Sequence, residues 1–344
     1  MSEALPGRPV AVVTGFLGSG KTTLIARLLR NPAFARTAVI VNEWGEVGID
    51  HALIAAGSET LLTLTTGCLC CRMQSDLAAT LRGLEAAAGS AGYDRVVIET
   101  SGLVDPAPVL AALIADPDVT MAHRLDQVLT LVDAAAGEAT LDRHVEARRQ
   151  VAVADRIVLT KTDLAGPVPG LRARLMALAP TVSVAVAVHG AIAPGEMFAP
   201  ADPAARAARL AGLPPAPGGD PFTRGMPRGM PGGLHEAGLG SIVLERDRPI
   251  PGAALSLFLE ALAAHAGPHL LRLKGLVEIA EVPGRPVLLQ GVQHSLAPPE
   301  WLDAWPAGWD GASRLVLIGQ GLPPYFPARL LAAIEAEVED FAGA

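Results

Sequence analysis

The strongest constraint on this chain is the stretch Gly15-Phe-Leu-Gly18-Ser19-Gly20-Lys21-Thr22, which follows the apolar run PVAVV and opens the helix-patterned TTLIARLLR. A GxxxxGKT loop between a strand and a helix commits the backbone to one local geometry, with N–H groups turned inward around an anion at a helix N-terminus. Gly15, Gly18 and Gly20 permit that turn. Lys21 reaches the β and γ phosphates, and the Thr22 hydroxyl binds magnesium. Ser19 and Thr23 flank them as further nucleotide contacts. A glycine-rich structural turn is the bland alternative, and the strand-then-helix setting argues against it.

The same alternation continues downstream. TAVIVNE, TLLTLTT, DRVVIET, QVLTLVD and ADRIVLTKTD read as strands separated by helical stretches, and TVSVAVAV as another buried strand. Strands alternating with helices imply crossover connections and a parallel sheet. Residues 191–238 are dense in Pro, Gly and Ala, with LPPAPGGD and RGMPRGMPGG, and read as a linker. Met226, Met230 and His235 in that stretch are read as linker residues rather than a copper site. Beyond it, GSIVLERDRPI reads as a strand, PGAALSLFLEALAAHAG as a helix, and LLRLKGLVEIAEVPGRPVLLQGVQ as a hairpin turning at PGRP. SRLVLIGQG and PARLLAAIEAEVEDF follow as strand and helix. The expected fold is α/β: a phosphate-loop NTPase domain with a mainly parallel sheet over 1–190, the linker over 191–238, and a smaller α+β domain over 239–344.

With 344 residues, half of them hydrophobic, the chain can bury two cores. Its formal net charge of -8 argues against a nucleic-acid partner, which calls for a surplus of Lys and Arg on one surface. The N-terminal MSEALPGRPV lacks a basic start and apolar core of a secretory signal, and no apolar run approaches the roughly 20 residues of a membrane span. All three cysteines, Cys68, Cys70 and Cys71, lie within four residues, which suits reduced thiols rather than a disulfide framework. A cytoplasmic protein is expected.

Two further elements follow the phosphate loop in order. Val96-Val-Ile-Glu99-Thr-Ser-Gly102 is an apolar strand ending in an acid with a glycine three residues on. Glu99 stands where such sites place a magnesium-side carboxylate, and the Gly102 amide can sense the γ phosphate. Lys21, Thr22 and Glu99 are therefore the catalytic candidates. Thr160-Lys161-Thr162-Asp163 after ADRIVL resembles a guanine-reading motif with Thr160 in place of the more usual Asn. The Asp163 carboxylate can accept from guanine N1–H and the exocyclic amine, while Lys161 packs along the base. Adenine offers no such donor pair, and a buried carboxylate left unpaired costs about 2 kcal/mol or more, so GTP is expected over ATP.

Gly67-Cys68-Leu-Cys70-Cys71 gathers three soft sulfur ligands in one loop, a set that suits zinc, cobalt(II) or another thiophilic ion. A closed structural zinc site wants four protein ligands. Here the fourth position is left to His, carboxylate, water or an exchanging partner, and an open position favours transfer over storage. Glu43 is the first candidate for it and Glu46 the second. His51, His123, His144 and His189 are weighed for the same position and none is assigned. Buried inert cysteines and a CxxC redox pair remain the competing readings.

GFLGSGKTTLI, NEWGEVGID, GCLCC, ETSGLVDPAPV and TKTDL together resemble the successive signatures of the CobW-like family of metal-associated GTPases, in that family's order. RLKGLVEIAEVPGRPVLLQGVQ and SRLVLIGQG are similar to its second domain. The resemblance implies a GTP-hydrolysing domain whose Cys68, Cys70 and Cys71 bind metal, with the loop from Asn42 to Asp50 as a switch between γ phosphate and metal. It implies a client metalloprotein or a cofactor-assembly enzyme as partner, and leaves a homodimer open. With only 8 His in the chain, the histidine-rich tract of many members is missing here. Two other readings stand beside it: a nucleotide-dependent regulatory module with structural or redox cysteines, and an ATP-using small-molecule kinase. In the second domain, Arg272, Lys274 and Arg314 read as a solvated basic face, His265 and His269 as caps of a helix end, and Trp301, Trp305 and Trp309 as packing on the C-terminal sheet.

Overall fold

The computed structural model describes residues 7–41, 61–63, 73–88, 92–198, 207 and 238–343. The chain divides into two compact units, one built mainly of residues 3–176 and 182–199 and the other mainly of 200–344.

In the first unit the apolar runs become strands β1 (Arg8–Thr14), β2 (Thr37–Val41), β3 (Leu61–Thr63), β4 (Arg95–Glu99), β5 (His123–Asp133), β6 (Arg156–Thr160) and β7 (Ser183–Ala187). They pair in parallel in the order β3-β2-β4-β1-β5-β6-β7. Val10–Val13 and Ala38–Ile40 have no exposed surface, as strands covered on both faces require. The helices between them are α1 (Lys21–Leu29), α2 (Met73–Ala88), α3 (Ala107–Ala115), α4 (Pro117–Thr120), α5 (Gly137–Arg143), α6 (Val145–Ala152), α7 (Pro169–Leu178) and α8 (Pro194–Met197). On α1, Leu24, Ile25, Leu28 and Leu29 form one stripe that joins Ala11, Val13, Val39 and Val41 in a shared core. The sequence APVLAALIA of α3 is apolar on nearly every side because it lies against both α2 and β5.

The end of this unit differs from the sequence-based expectation in two respects. TVSVAVAV is not a buried strand: β7 forms the edge of the sheet, next to β6 alone, and Val186 is exposed. The chain also does not leave the first unit at 191. Met197 is fully buried, Ile192 and Phe198 pack on the core under α1, and the Phe34 and Phe198 rings lie 6.2 Å apart. Apart from Ala207 and Gly238, the remaining linker residues, including Met226, Met230 and His235, lie outside the described residues.

The second unit comprises β8 (Leu239–Arg246), α9 (Gly252–Ala266), β9 (Leu270–Val277), β10 (Val287–Val292), β11 (Ser295–Leu296), β12 (Glu300–Trp301), β13 (Ser313–Gln320) and α10 (Phe326–Gly343). Its antiparallel sheet runs β11-β10-β9-β13-β8, with β12 pairing on β10. One core contains Ile242, Leu244, Leu273, Leu315 and Leu317 of the sheet with Leu255, Phe258 and Leu262 of α9 and Leu331 of α10. A second, smaller core holds Leu276, Leu288 and Leu302, against which Trp305 and Trp309 pack with rings stacked 5.9 Å apart. Trp301, on β12, stays partly exposed.

Of the three residues expected on a solvated basic face, Arg272 and Arg314 are buried and Lys274 is half-buried. Arg314 is buried: it donates twice to Glu245 Oε1, at 3.0 and 2.8 Å, bonds Asp310, and carries the Trp309 ring 4.9 Å from its guanidinium. Burial works against its charge, and the Asp310 and Glu245 carboxylates outweigh that and raise its pKa. Arg272 is buried too, donating to Gln290 Oε1 at 3.2 Å. The side chain that reaches a carbonyl near the end of α9 is His294, in place of the expected His265 and His269; its Nδ1 lies 3.0 Å from the Ala263 carbonyl. The left-handed Gln293 in the turn after β10 precedes it (φ 53°). Among the described residues no helix is long and apolar enough to cross a membrane.

Replacing the fully buried Phe258 with alanine leaves a cavity in the core that α9 shares with the sheet. Urea unfolding followed by tryptophan fluorescence is expected to show a loss of about 3–5 kcal/mol for Phe258→Ala. For Leu257→Ala, on the exposed side of the same helix, the change is expected to stay within about 0.5 kcal/mol.

Candidate functional site

The strand order turns about β1, since the chain passes to β2 on one side and later to β5 on the other. In an open parallel sheet the crevice at the carboxyl ends of such strands is where ligands bind. The loop from Gly15 to Gly20 occupies that crevice. Gly15 (φ 139°) admits no side chain: a Cβ there would strike the Leu131 carbonyl and lie 2.8 Å from Ser19 Oγ. Gly18 and Gly20 are also left-handed, and Gly20 is the residue from which α1 starts. The Ser19 N–H donates to the Phe16 carbonyl at 3.1 Å and closes the turn. Lys21 folds back over it, with Nζ donating to the Gly15 carbonyl at 2.8 Å and the Phe16 carbonyl at 3.4 Å.

The end of β4 meets this loop directly. Thr22 Oγ1 donates to Glu99 Oε1 at 3.1 Å, and the Glu99 side chain is buried. Thr100 continues the join, its hydroxyl donating to Thr14 Oγ1 at 2.8 Å and its N–H to the Val13 carbonyl at 3.0 Å. Gly102 then lies so close to the loop that a Cβ would fall 2.7 Å from Leu17 N and 2.9 Å from Leu17 Cα. Backbone touches backbone at that point, which is the reason for glycine at 102.

On the other side, Thr160 at the end of β6 meets the same loop. Its hydroxyl donates to the Ser19 carbonyl at 2.8 Å and so ties the end of β6 to the Gly15–Gly20 turn. Lys161 adopts a left-handed conformation (φ 55°), and its ammonium pairs with Asp133 Oδ2 at 2.7 Å. Burial raises the Asp133 pKa, but Lys161 and the N–H groups of Ala135 and Ala136 together hold it below the ordinary carboxylate range. This contact therefore persists above that range and weakens only as the pH falls through the lowered value. Asp163 points to the solvent side, 3.9 Å from His189 Nε2.

One element was missed in the sequence. The turn after β7 places left-handed His189 (φ 49°) and Gly190 (φ 75°) against α1. A Cβ on Gly190 would lie 2.9 Å from the Thr23 carbonyl, and Arg27 Nη1 donates to the His189 carbonyl at 3.1 Å. An open cleft of about 690 Å³ runs from Thr22 and Thr23 past Arg27 and Arg30 to His189 and Gly190. The available signal was the His-Gly pair at a strand end, as turn chemistry in the right place. Neither Asp163 nor Lys161 lines that wall; Asp163 approaches it through His189. Two more of the histidines weighed as ligands have structural partners: His123 Nε2 lies 2.7 Å from the Tyr93 hydroxyl, and the His144 ring stacks on Phe16 at 4.2 Å.

Cys68, Cys70 and Cys71, the candidate ligands Glu43 and Glu46 with the rest of 42–50, and His51 lie outside the described residues. Among the described residues, no group of three or more His, Cys, Asp or Glu side chains is placed to hold a metal ion.

Residues 9–184 match the CobW/HypB/UreG nucleotide-binding domain, and residues 239–337 match the cobalamin synthesis protein cobW C-terminal domain. The chain belongs to the CobW/HypB/UreG family. This CobW-family chain is 34% identical over 329 residues to the zinc chaperone YjiA of Escherichia coli (strain K12), covering 92% of this chain and 95% of that protein. It is also 34% identical over 354 residues to the zinc chaperone CobW of Sinorhizobium sp, covering 90% and 92%. In three dimensions it is similar to the crystal structure of zinc-bound YjiA GTPase from E. coli, with a TM-score of 0.67 and 26% identity over 96% of this chain and 99% of that one.

The contact between Gly102 and Leu17 gives a direct test of this CobW-family site. Gly102→Ala forces one backbone away from the other, an overpacking that costs about 1–3 kcal/mol. Calorimetric titration is expected to show weaker binding of GDP and of a non-hydrolysable GTP analogue alike. Wild-type affinity for both would mean that the two segments shift independently.

Proposed function

We propose that this chain is a GTP-hydrolysing metallochaperone that takes up zinc on Cys68, Cys70 and Cys71 and passes it to a client according to its nucleotide state. One observation carries the reading: the Gly15–Gly20 turn, the Thr22–Glu99 pair and the Thr160–Asp163 segment converge on one edge of the sheet, in a chain related over 92% of its length to a zinc chaperone.

In this reading the loop N–H groups between Gly15 and Thr22 cradle the phosphates at the start of α1, and the Lys21 ammonium swings from the Gly15 carbonyl toward the outer phosphate oxygens. The Thr22 hydroxyl and the Glu99 carboxylate are hard oxygen donors 3.1 Å apart, a set that fits magnesium, which keeps several waters and takes one or two protein oxygens. Magnesium held there would offset the charge developing on the transferred phosphoryl group. The Gly102 amide contacts the γ phosphate, and Ser19 and Thr23 complete the phosphate side. Asp163 accepts from the guanine edge beside Lys161, with the turn at His189–Gly190 next to it.

Three thiolates leave one position of a tetrahedral ion for Glu43, water or a client ligand, which suits exchange. Cobalt(II) fits the same donors. A client metalloprotein or cofactor-assembly enzyme supplies the acceptor, and the free thiols call for a reducing compartment such as the cytoplasm. The residues from Asn42 to Asp50 act as the switch that reports γ phosphate to the thiolates.

Two measurements test this. Asp163→Ala is expected to weaken guanine-nucleotide binding by roughly 30-fold or more, as loss of two hydrogen bonds to a charged group implies, and to abolish the preference for GTP over ATP. Replacing Cys68, Cys70 and Cys71 together by serine is expected to remove the tightly bound zinc measured by atomic absorption while GDP affinity stays unchanged. Undiminished zinc content in that variant would rule out the thiolate site.

A further inference from the structure

Helix α6 (Val145–Ala152) is not part of any nucleotide motif, yet it touches both segments that meet at the phosphates. Its most buried polar side chain is Gln150, which has no exposed surface. Gln150 Nε2 donates to the Gly102 carbonyl at 3.1 Å and to the Val104 carbonyl at 3.2 Å. One residue earlier, Arg149 Nη1 pairs with Asp105 Oδ2 at 3.1 Å, and Asp105 Oδ1 in turn accepts from the Ala107 N–H at the start of α3. At the other end of α6, His144 stacks on Phe16 inside the Gly15–Gly20 turn. The helix itself is fixed to the sheet, because Thr130 of β5 donates to the Gln150 carbonyl at 2.7 Å. A small cavity of about 40 Å³ lies between them, and Gln150 and Ser19 both line it.

We propose that Gln150 is a positioning residue for the γ phosphate: it sets the backbone of Gly102–Val104 and so carries the discrimination between GTP and GDP. This rests on the reading of Gly102 as a γ-phosphate contact. The physical reason lies in the trans peptide. Holding the Val104 carbonyl inward fixes the turn in which the Val104 N–H donates to the Ser101 carbonyl at 3.3 Å, and that carbonyl shares its peptide with the Gly102 N–H, so the direction of the Gly102 amide follows. The carboxamide donates both hydrogens to this one loop, so a change at either carbonyl is felt at the other. The rigid contact of Gly102 with Leu17 makes small rotations here count, since there is no slack for the loop to absorb them. Among the described residues Gln150 hydrogen-bonds neither the Gly15–Gly20 loop nor the Asp163 segment, so the grip on the α and β phosphates and on the base does not depend on its donors.

The test uses the full chain and two variants. Gln150→Met keeps the volume and removes both donors; Gln150→Glu keeps the shape and turns two donor contacts into repulsions between oxygens. Titration with GDP is expected to give affinities within about twofold of wild type for Gln150→Met, while a non-hydrolysable GTP analogue binds about tenfold more weakly, the loss expected for one or two buried hydrogen bonds. Gln150→Glu is expected to lower the ratio of the two affinities further. A parallel loss for both nucleotides, or no change in the ratio, overturns the proposal, because a merely structural role of Gln150 does not separate them. Hydrogen exchange on the wild-type protein keeps the question answerable if a variant does not fold. Segments 101–105 and 145–152 are expected to gain protection together with the GTP analogue and not with GDP, and protection of 101–105 alone overturns the coupling. A wild-type protein that binds neither nucleotide overturns the GTPase reading itself, and that arm is read before any variant.

Discussion

Three separate stretches of chain come to rest on one tight turn of backbone. Neighbours approach the main chain of the Gly15–Gly20 loop: Gly102 packs on Leu17, Thr160 donates to the Ser19 carbonyl, and Lys21 lies across the Gly15 and Phe16 carbonyls. Contacts of this kind leave little freedom, because backbone atoms cannot rotate out of the way as side chains do. The parallel sheet makes the arrangement possible by ending β1, β4, β5 and β6 at the same edge. The ends of β4 and β6 are consequently tied to the loop by direct contact.

Much of this was legible in the chain alone, and the reason is local. A GxxxxGKT loop is specified by its own residues, and the apolar runs around it are long enough to be recognised as strands. Glu99, Gly102 and Asp163 follow at strand ends where the fold class places them. What the sequence could not show depends on long-range packing. Arg314 looks like any surface arginine until Glu245 stands opposite it on β8 and Trp309 covers it. His294 reaches the end of α9 from a turn 31 residues later in the chain. The edge position of β7 depends on which strand comes last in the sheet, not on the composition of TVSVAVAV. Gln150 carries no motif at all, and only the fold brings its amide to the carbonyls of Gly102 and Val104.

The family resemblance seen in five short motifs extends to the architecture. A chain 34% identical to zinc chaperone YjiA over 329 residues has a two-unit organisation, with a parallel sheet for the nucleotide half and an antiparallel sheet for the rest. In the second unit the buried Arg314 bonds Glu245 on the neighbouring strand and Asp310 before it, and so ties β13 to β8 and to the Trp309 loop.

Triphosphate occupancy and thiolate occupancy, in the proposed function, influence each other through the backbone between Asn42 and Cys71. Linkage requires the effect to be reciprocal, so it is measurable from the metal side alone. A competition titration of zinc against a chromophoric chelator, run with magnesium and a non-hydrolysable GTP analogue and again with GDP, measures it directly. Zinc is predicted to bind more tightly with the GTP analogue, by roughly 5- to 150-fold if the coupling is of ordinary size. Equal zinc affinity in the two nucleotide states would contradict that coupling.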